Sequence, residues 1–302
     1  MKFRLATRSS PLALWQAEAA KRALGAAWSD AECEFVEVRS SGDTDLSSPL
    51  TRFGRIGIFT VEVDRVVIEG RADVAVHSCK DMTTELGTGT MLSAVLGRGP
   101  VEDALVAPPG TTLEGLPSGA RVATSSARRR ALLRSLRPDL EVVEIRGNVQ
   151  TRLAKLAAGE ADALLMARAG LERLGLGEHV SEVLDTERFP HAAGQGAVAL
   201  VVKEGDWPVH ERVQAVRDLE TWDEVIAERA VLRELRGGCS APIGVVARVV
   251  ESTLALRARV LALDGSRSVE ASLVGPRDAA ESLGTTLGKE LAARGARELM
   301  RT

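Results

Sequence analysis

The sequence predicts an α/β protein, with two similar α/β domains followed by a small C-terminal α+β domain. Three observations predict it. A chain of 302 residues is too long for one ordinary hydrophobic core. Two segments then recur in the same order: "RLATRSS" (Arg4 to Ser10) is echoed by "RVATSSARR" (Arg121 to Arg129), and "EGRADVAVHS" (Glu69 to Ser78) by "AGEADALLMA" (Ala158 to Ala167). Finally, the pattern changes from about Leu219 onward, to a helix, a glycine turn, three strands and a closing helix.

Each member of the first echo reads as a short apolar strand that ends in Thr and Ser and enters a helix rich in Ala and Leu. Such turns offer side-chain caps and free backbone N–H groups, and so serve either as plain N-caps or as anion-binding corners. Both also carry arginine, Arg8 in one and Arg128–Arg129–Arg130 in the other. Two such domains facing across a cleft would hold a polyanion. Each member of the second echo breaks at Gly-x-Ala-Asp and enters a buried-type strand.

The strand in "AVHSCKD" ends with His77, Ser78, Lys80 and Asp81. The C-terminal strand ends of open α/β sheets are where ligands bind. Two plainer explanations stand beside that one: Asp81 capping a following helix, and His77 as a buried, hydrogen-bonded side chain. "EIRGNVQTRLAKL" places Arg146 at a strand end and Arg152 one turn into a helix capped by Asn148. The two arginines either clasp carboxylates or lie on a solvated helix face. In the last third, "WDEVIAERAVLREL" reads as a helix, and "IGVVARVV", "TLALRARVLAL" and "SVEASLVG" as strands with a hairpin turn at Asp264-Gly265. "RDAAESLGTTLGKELAARG" reads as an amphipathic helix stopped by Gly295.

Composition narrows the function classes. With 45% hydrophobic and 27% charged residues the chain is globular, neither disordered nor membranous. The beginning of the sequence has no apolar run suited to a signal peptide, so a cytoplasmic location is expected. A net charge of −3 disfavours nucleic acid as a partner. Cys33, Cys79 and Cys239 form no C-x-x-C pair, and His77, His179, His191 and His210 lack ligand spacing, so neither a disulfide framework nor a bound metal is expected. "HAAGQGAVAL" has the glycines of a dinucleotide fingerprint but no preceding strand, which argues against NAD, and there is no P-loop. "ELRGGCSAPIG" sets Cys239 on a bare turn, where a thiol calls for a metal, a substrate or another partner.

Taken together, "ATRSSPLALWQA", "HSCKD", "ATSSARRRA", "RGNVQTRLAKL", "AGLERLGL", "GQGAVAL", "AERAVLREL" and "GGCSAPIG" resemble, in order, the motifs of the porphobilinogen deaminase (hydroxymethylbilane synthase) family. The resemblance implies two α/β domains like type II periplasmic binding proteins and a third domain carrying a cofactor cysteine. The implied boundaries are 1–97 with 197–215 for the first, 102–192 for the second and 219–302 for the third.

It implies a transferase that condenses four porphobilinogen molecules, with loss of ammonia, into linear hydroxymethylbilane. The primer is a dipyrromethane cofactor, thioether-linked to Cys239. Loss of ammonia gives an electron-poor azafulvenium carbon, and positive charge then develops on a ring nitrogen, which a carboxylate stabilises. By resemblance that carboxylate is Asp81, with Arg8, Arg146 and Arg152 acting near the reacting ring. The implied cofactor binders are Cys239, Asp81, Lys80, Ser78, Thr124, Ser125, Ser126, Arg128, Arg129 and Arg146. The implied substrate binders are Arg8, Ser10, Arg52, Arg146, Arg152, Arg173, Gln195 and Gly196. A monomer that passes its product to uroporphyrinogen-III synthase is also implied.

Three positions depart from the family pattern. Ile56 stands where lysine is usual, with Arg55 as the adjacent cation. Cys79 replaces Met or Leu, and Arg236 replaces Glu. The rival function class is a non-catalytic carboxylate-binding module, which needs neither an adduct on Cys239 nor Asp81. A Cys-dependent acyl transferase needs a base beside Cys239 that the sequence does not identify.

Overall fold

The computed structural model describes residues 1–39, 60–238 and 241–300. In chain order the elements are β1 (Lys2–Arg8), α1 (Pro11–Ala27), β2 (Glu32–Val38), α2 (Val61–Ile68), β3 (Val74–Ser78), β4 (Thr90–Val95) and β5 (Asp103–Val106). Next come β6 (Arg121–Ala123), α3 (Ala127–Leu136), β7 (Glu141–Val143), α4 (Val149–Ala157), β8 (Ala163–Ala167), α5 (Arg168–Arg173) and β9 (Val180–Val183). The chain continues with β10 (Val198–Lys203), α6 (Trp207–Gln214), α7 (Leu219–Leu235), β11 (Ile243–Val250), β12 (Thr253–Leu261), β13 (Ser268–Pro276), α8 (Ala280–Ala293) and α9 (Ala296–Leu299). They fall into two compact units: Met1–Gly99 with Gly196–Trp222, and Pro100–Gln195 with Asp223–Thr302.

The first unit is built on a five-stranded sheet of order β2-β1-β3-β10-β4. β1 lies parallel to β2 and β3, and β10 runs antiparallel between β3 and β4. Ser10 starts α1 by accepting from the N–H of Ala13 at 3.3 Å, and Pro11 occupies the first turn, where no N–H is missed. The stripe Ala13, Gln16, Ala17, Ala20, Leu24 faces inward. Its lower part packs with Leu5, Val74, Val76, Leu200 and Val202 from the sheet and with Val213 of α6.

The second unit holds two sheets. The larger has the order β7-β6-β8-β5-β9, with β6 parallel to β7 and β8, and β5 antiparallel between β8 and β9. Strand by strand this repeats the first sheet: β6 matches β1, β8 matches β3, and β5 matches β10. The echoed segments are therefore equivalent strands. Side-chain alternation along β8 splits the core, as expected for a strand covered on both faces. Ala163 and Leu165 pack with Leu132 and Leu133 of α3, while Leu164 and Met166 pack with Leu153 and Leu156 of α4. Each fully buried leucine contributes roughly 1.5–3 kcal/mol.

The smaller sheet is an antiparallel meander, β11-β12-β13. Ala227, Val231 and Leu235 of α7 and Leu287 and Leu291 of α8 cover one face. Gly284 and Gly288 let the two helices close up, since a Cβ would stand 2.2 Å from the Ala227 carbonyl oxygen and 2.6 Å from Glu234 Cβ. The hairpin at Asp264-Gly265 forms as expected, with Gly265 in the left-handed region at φ 76°.

Candidate functional site

In the first unit the C-terminal ends of β1 and β3 frame a small pocket, lined among others by Arg8, Ser10, Gln16, His77, Ser78 and Asp81. Arg8 ends β1, Ser10 caps α1, and Ser78 ends β3. A single 3-10 turn, Cys79–Asp81, then carries Lys80 and Asp81 across the strand end. The turn is pinned by the buried Cys79, whose N–H donates to the Ala197 carbonyl at 3.0 Å and whose own carbonyl accepts from Met82. No helix follows before β4, so Asp81 caps none, and the capping explanation of this residue falls away. The plainer explanation of His77 holds. Its Nε2 lies 2.7 Å from Asp64 Oδ1 of α2, and its side chain is buried.

Gln16 is a pocket residue the sequence reading missed. It is buried, and its Nε2 has no hydrogen-bond partner among the described residues. An amide in the apolar stripe of a helix was the available signal, because a buried donor needs an acceptor.

In the second unit the equivalent strand ends carry the basic residues. Ser126 caps α3 through the N–H of Arg129 at 3.4 Å, and its own N–H donates to Thr124 Oγ1 at 3.2 Å. Ser125 Oγ donates to the Ile145 carbonyl at 2.6 Å. Asn148 caps α4 by accepting from the N–H and the hydroxyl of Thr151, both at 2.9 Å. Arg152 reaches back from that helix to donate Nε to the Gly147 carbonyl at 2.8 Å. Gly147 has φ 116°, and a Cβ there would meet Thr151 Cγ2 at 2.6 Å, so the turn after Arg146 demands glycine. Arg173 closes α5 half-buried, and desolvation lowers its pKa from the ordinary guanidinium value.

Arg128 and Arg129 are almost wholly buried, and both turn onto Asp103, the first residue of β5, which is itself 0% exposed. Arg128 Nη1 donates to Asp103 Oδ2 at 2.7 Å and to the Pro190 carbonyl at 2.8 Å. Arg129 donates Nε and Nη2 to Asp103 Oδ1 at 3.0 and 2.7 Å, and Nη1 to the Leu165 carbonyl at 3.1 Å. Gln195 Nε2 adds a bond to the same Oδ1 at 3.0 Å and another to the Val101 carbonyl at 2.7 Å. Burial on its own would raise the Asp103 carboxyl, but the charges of Arg128 and Arg129 and their hydrogen bonds outweigh it. They hold the group well below the usual carboxylate range.

The residue before Gln195 is fixed from α7: the buried Glu228 accepts from the N–H of Gly194 at 2.7 Å and from that of Ala247 at 3.2 Å. Gly196, in the first unit, has φ 83° and accepts from Gly99 at 2.9 Å. Arg236 ends α7 in the left-handed region at φ 54°, and the Gly237 N–H closes the helix on the Leu232 carbonyl. A Cβ at Gly237 would stand 2.5 Å from Ile243 Cδ1, so packing already requires that glycine. Cys239, Arg52, Arg55 and Ile56 lie outside the described residues. Among the described residues no group of three His, Cys, Asp or Glu side chains could hold a metal ion, and no helix is long and apolar enough to cross a membrane.

Comparison with solved structures finds several chains of low identity. The methionine binding protein MetQ is 14% identical, covering 74% of this chain and 92% of its own, at a TM-score of 0.47. The Bordetella pertussis BvgS VFT2 domain (double mutant) is 19% identical, covering 71% and 86%, at 0.43. The probable amino-acid transporter binding protein ytmK from Bacillus subtilis is 10% identical, covering 72% and 90%, also at 0.43. Likenesses this distant say nothing about activity. Family models are decisive instead. Residues 3–211 match porphobilinogen deaminase, dipyromethane cofactor binding domain, and residues 222–293 match porphobilinogen deaminase, C-terminal domain. With nearly its whole length matched by the two models in succession, the chain belongs to the porphobilinogen deaminase family.

Proposed function

We propose that the protein joins four porphobilinogen molecules head to tail into hydroxymethylbilane, on a dipyrromethane primer held as a thioether by Cys239. Family membership makes it a transferase of tetrapyrrole biosynthesis, with porphobilinogen as substrate and dipyrromethane as cofactor. The course of the reaction and the residue roles are the proposal, as are a three-domain division with 219–302 as the third, a cytoplasmic location, a monomeric state and delivery of the product to uroporphyrinogen-III synthase.

The donor set suits a group bearing acetate and propionate arms. Arg128 keeps a buried Nε with no hydrogen-bond partner among the described residues, and Gln16 keeps a buried Nε2 in the same condition. When bound, dipyrromethane supplies a free pyrrole α-carbon as the nucleophile. Each addition would form one C–C bond and break the C–N bond of the substrate's aminomethyl group, releasing ammonia and one proton that the chain's own residues must handle. Asp81 stabilises positive charge at the ring nitrogen and takes part in the proton movement. Arg8, Arg146 and Arg152 hold substrate carboxylates near the reacting ring. Ser10, Arg52, Arg173, Gln195 and Gly196 complete the substrate contacts, and Ser78, Lys80, Thr124, Ser125, Ser126, Arg128 and Arg129 those to the cofactor. Six rings bring about a dozen negative charges, and each charge-assisted hydrogen bond contributes roughly 1.5–3 kcal/mol, so many cationic donors are needed.

The observation that carries this reading is the placement of Asp81 with Arg8 and Ser10 around one pocket, at the strand ends where α/β sheets bind ligands. Intact-protein mass spectrometry tests it. An adduct of two pyrrole units on the parent chain, absent from Cys239→Ser, is expected; an active chain of unmodified mass would overturn it.

A further inference from the structure

The two neighbouring arginines of α3 are not equivalent. Arg129 spends its Nε–Nη2 edge on Asp103 and gives Nη1 to the Leu165 carbonyl. Arg128 makes its bonds to Asp103 and to the Pro190 carbonyl through Nη1 alone, which leaves its Nε, buried, without a partner among the described residues. The Nε–Nη2 edge of a guanidinium presents two parallel donors that match one carboxylate. An unsatisfied buried donor is costly in a native protein, and such a group marks a place where something else is expected to bind. Asp103 also receives Gln195, so a single carboxylate collects three side chains from two separate stretches of the second unit, α3 and the segment before β10.

From these contacts we infer that Asp103 is a positioning residue: it anchors Arg129 as a fixed strut and turns Arg128 so that its open edge receives a carboxylate arm of the cofactor. The inference rests on the functional reading above and revises it at one residue: of the two arginines given there as cofactor contacts, Arg128 keeps that duty and Arg129 becomes its support. Asp103 touches no ligand in this scheme. It acts through Arg128, and its negative charge offsets one of the two positive charges that α3 brings into the interior.

The test uses the full chain. In Asp103→Asn the amide oxygen accepts from one arginine only, and the orientation of Arg128 is lost. The share of purified protein carrying the two-pyrrole adduct is expected to fall about ten- to a hundredfold, the effect of one charge-assisted bond. In Asp103→Ala, added formate is expected to restore a large part of that share, because a free carboxylate takes the vacated place. A full share of adduct in both variants, even with a lowered thermal midpoint, would reduce Asp103 to a purely structural ion pair and overturn the inference.

If neither variant folds, the parent protein decides. Arginine Nε–H resonances, assigned through Arg128→Lys and Arg129→Lys, are compared between the parent and Cys239→Ser. The Arg129 signal should be protected from exchange in both, and the Arg128 signal protected only in the parent. An Arg128 signal indifferent to the adduct, or an Arg129 signal that loses protection in the parent, overturns the assignment. A parent chain without any adduct would instead sink the functional reading, while the protection of Arg129 in Cys239→Ser would still report on Asp103.

Discussion

Arg4 clasps Asp73 from three directions: its backbone N–H donates to Oδ2 at 2.7 Å, Nε to the same atom at 3.2 Å, and Nη2 to Oδ1 at 2.6 Å. Nη1 reaches on to the Gly70 carbonyl at 2.9 Å. Arg121 and Asp162 repeat the clasp in the second unit, at 2.7, 3.3 and 2.9 Å, with Nη2 bonding the Gly159 carbonyl at 3.0 Å. Gly-x-Ala-Asp is thus more than punctuation before a strand. Its aspartate locks the start of the third strand of each sheet to the start of the first. Asp73→Ala is expected to destabilise the protein by about 1 kcal/mol, a charged hydrogen-bond set discounted for partial exposure. Asp162→Ala should cost less, since its side chain is 44% exposed against 21% for Asp73. Urea unfolding of the two variants compares them; a larger loss at Asp162 would contradict the role of exposure.

Asp103 makes acid stability a second observable. Its carboxyl releases a proton more readily in the native protein than in the unfolded chain, because Arg128 and Arg129 favour the charged form over the cost of burial. That contribution is therefore complete above the ordinary aspartate value of about 4 and is lost as pH falls below it. Asp103→Asn should show a shallower decline of stability below about pH 4 and, near neutrality, a loss of about 3–5 kcal/mol, as when one partner of a buried ion pair is removed. Unfolding curves from about pH 3 to about pH 7 measure both. An acid limb as steep as the parent's would show that this carboxyl is not the one responsible.

Asp81→Asn should lower turnover by about a hundredfold or more, the usual effect of removing a group aimed at developing charge, yet leave the adduct in place. Porphobilinogen consumption and intact mass, measured on one preparation, separate the two. Unchanged turnover would remove Asp81 from the mechanism. Arg146→Leu should instead let short chain intermediates accumulate on the protein, visible as a ladder of added masses, and normal product formation would withdraw that assignment.

Arg236 occupies a left-handed helix terminus that glycine normally fills. Relief of roughly 1–2 kcal/mol of backbone strain exceeds the roughly 0.5–1 kcal/mol entropic penalty of glycine. Arg236→Gly should therefore raise the thermal midpoint slightly; a lowered midpoint would mean that the arginine side chain makes a compensating contact.

The strands and helices of the last third were legible at nearly their observed bounds, from Ile243–Val250 to Ala280–Ala293, because local alternation and turn chemistry decide them. The two echoes were legible as well, and they coincide with topologically equivalent strands. The inward turn of Arg128 and Arg129 was not. Their partner lies 25 and 26 residues upstream and reaches them only through the antiparallel placement of β5 beside β8, a long-range pairing that no local pattern encodes. A single acid opening the buried run Asp103–Val106 was the one local sign that cations had to come to it. For the same reason Asp64, paired with His77 across the gap from α2 to β3, escaped notice.

The two large sheets share one strand order, but the antiparallel member leads its sheet in the second unit (β5) and trails it in the first (β10). Among the described residues β4 pairs within its sheet with β10 alone, and β10 leaves the ribosome roughly a hundred residues later, about 5–20 s at ordinary elongation rates. Throughout that interval the nascent amino-terminal half presents an incomplete sheet with two raw edges. Translation pauses or holdase binding within 100–195 are thus expected to govern the yield of folded enzyme more than pauses elsewhere.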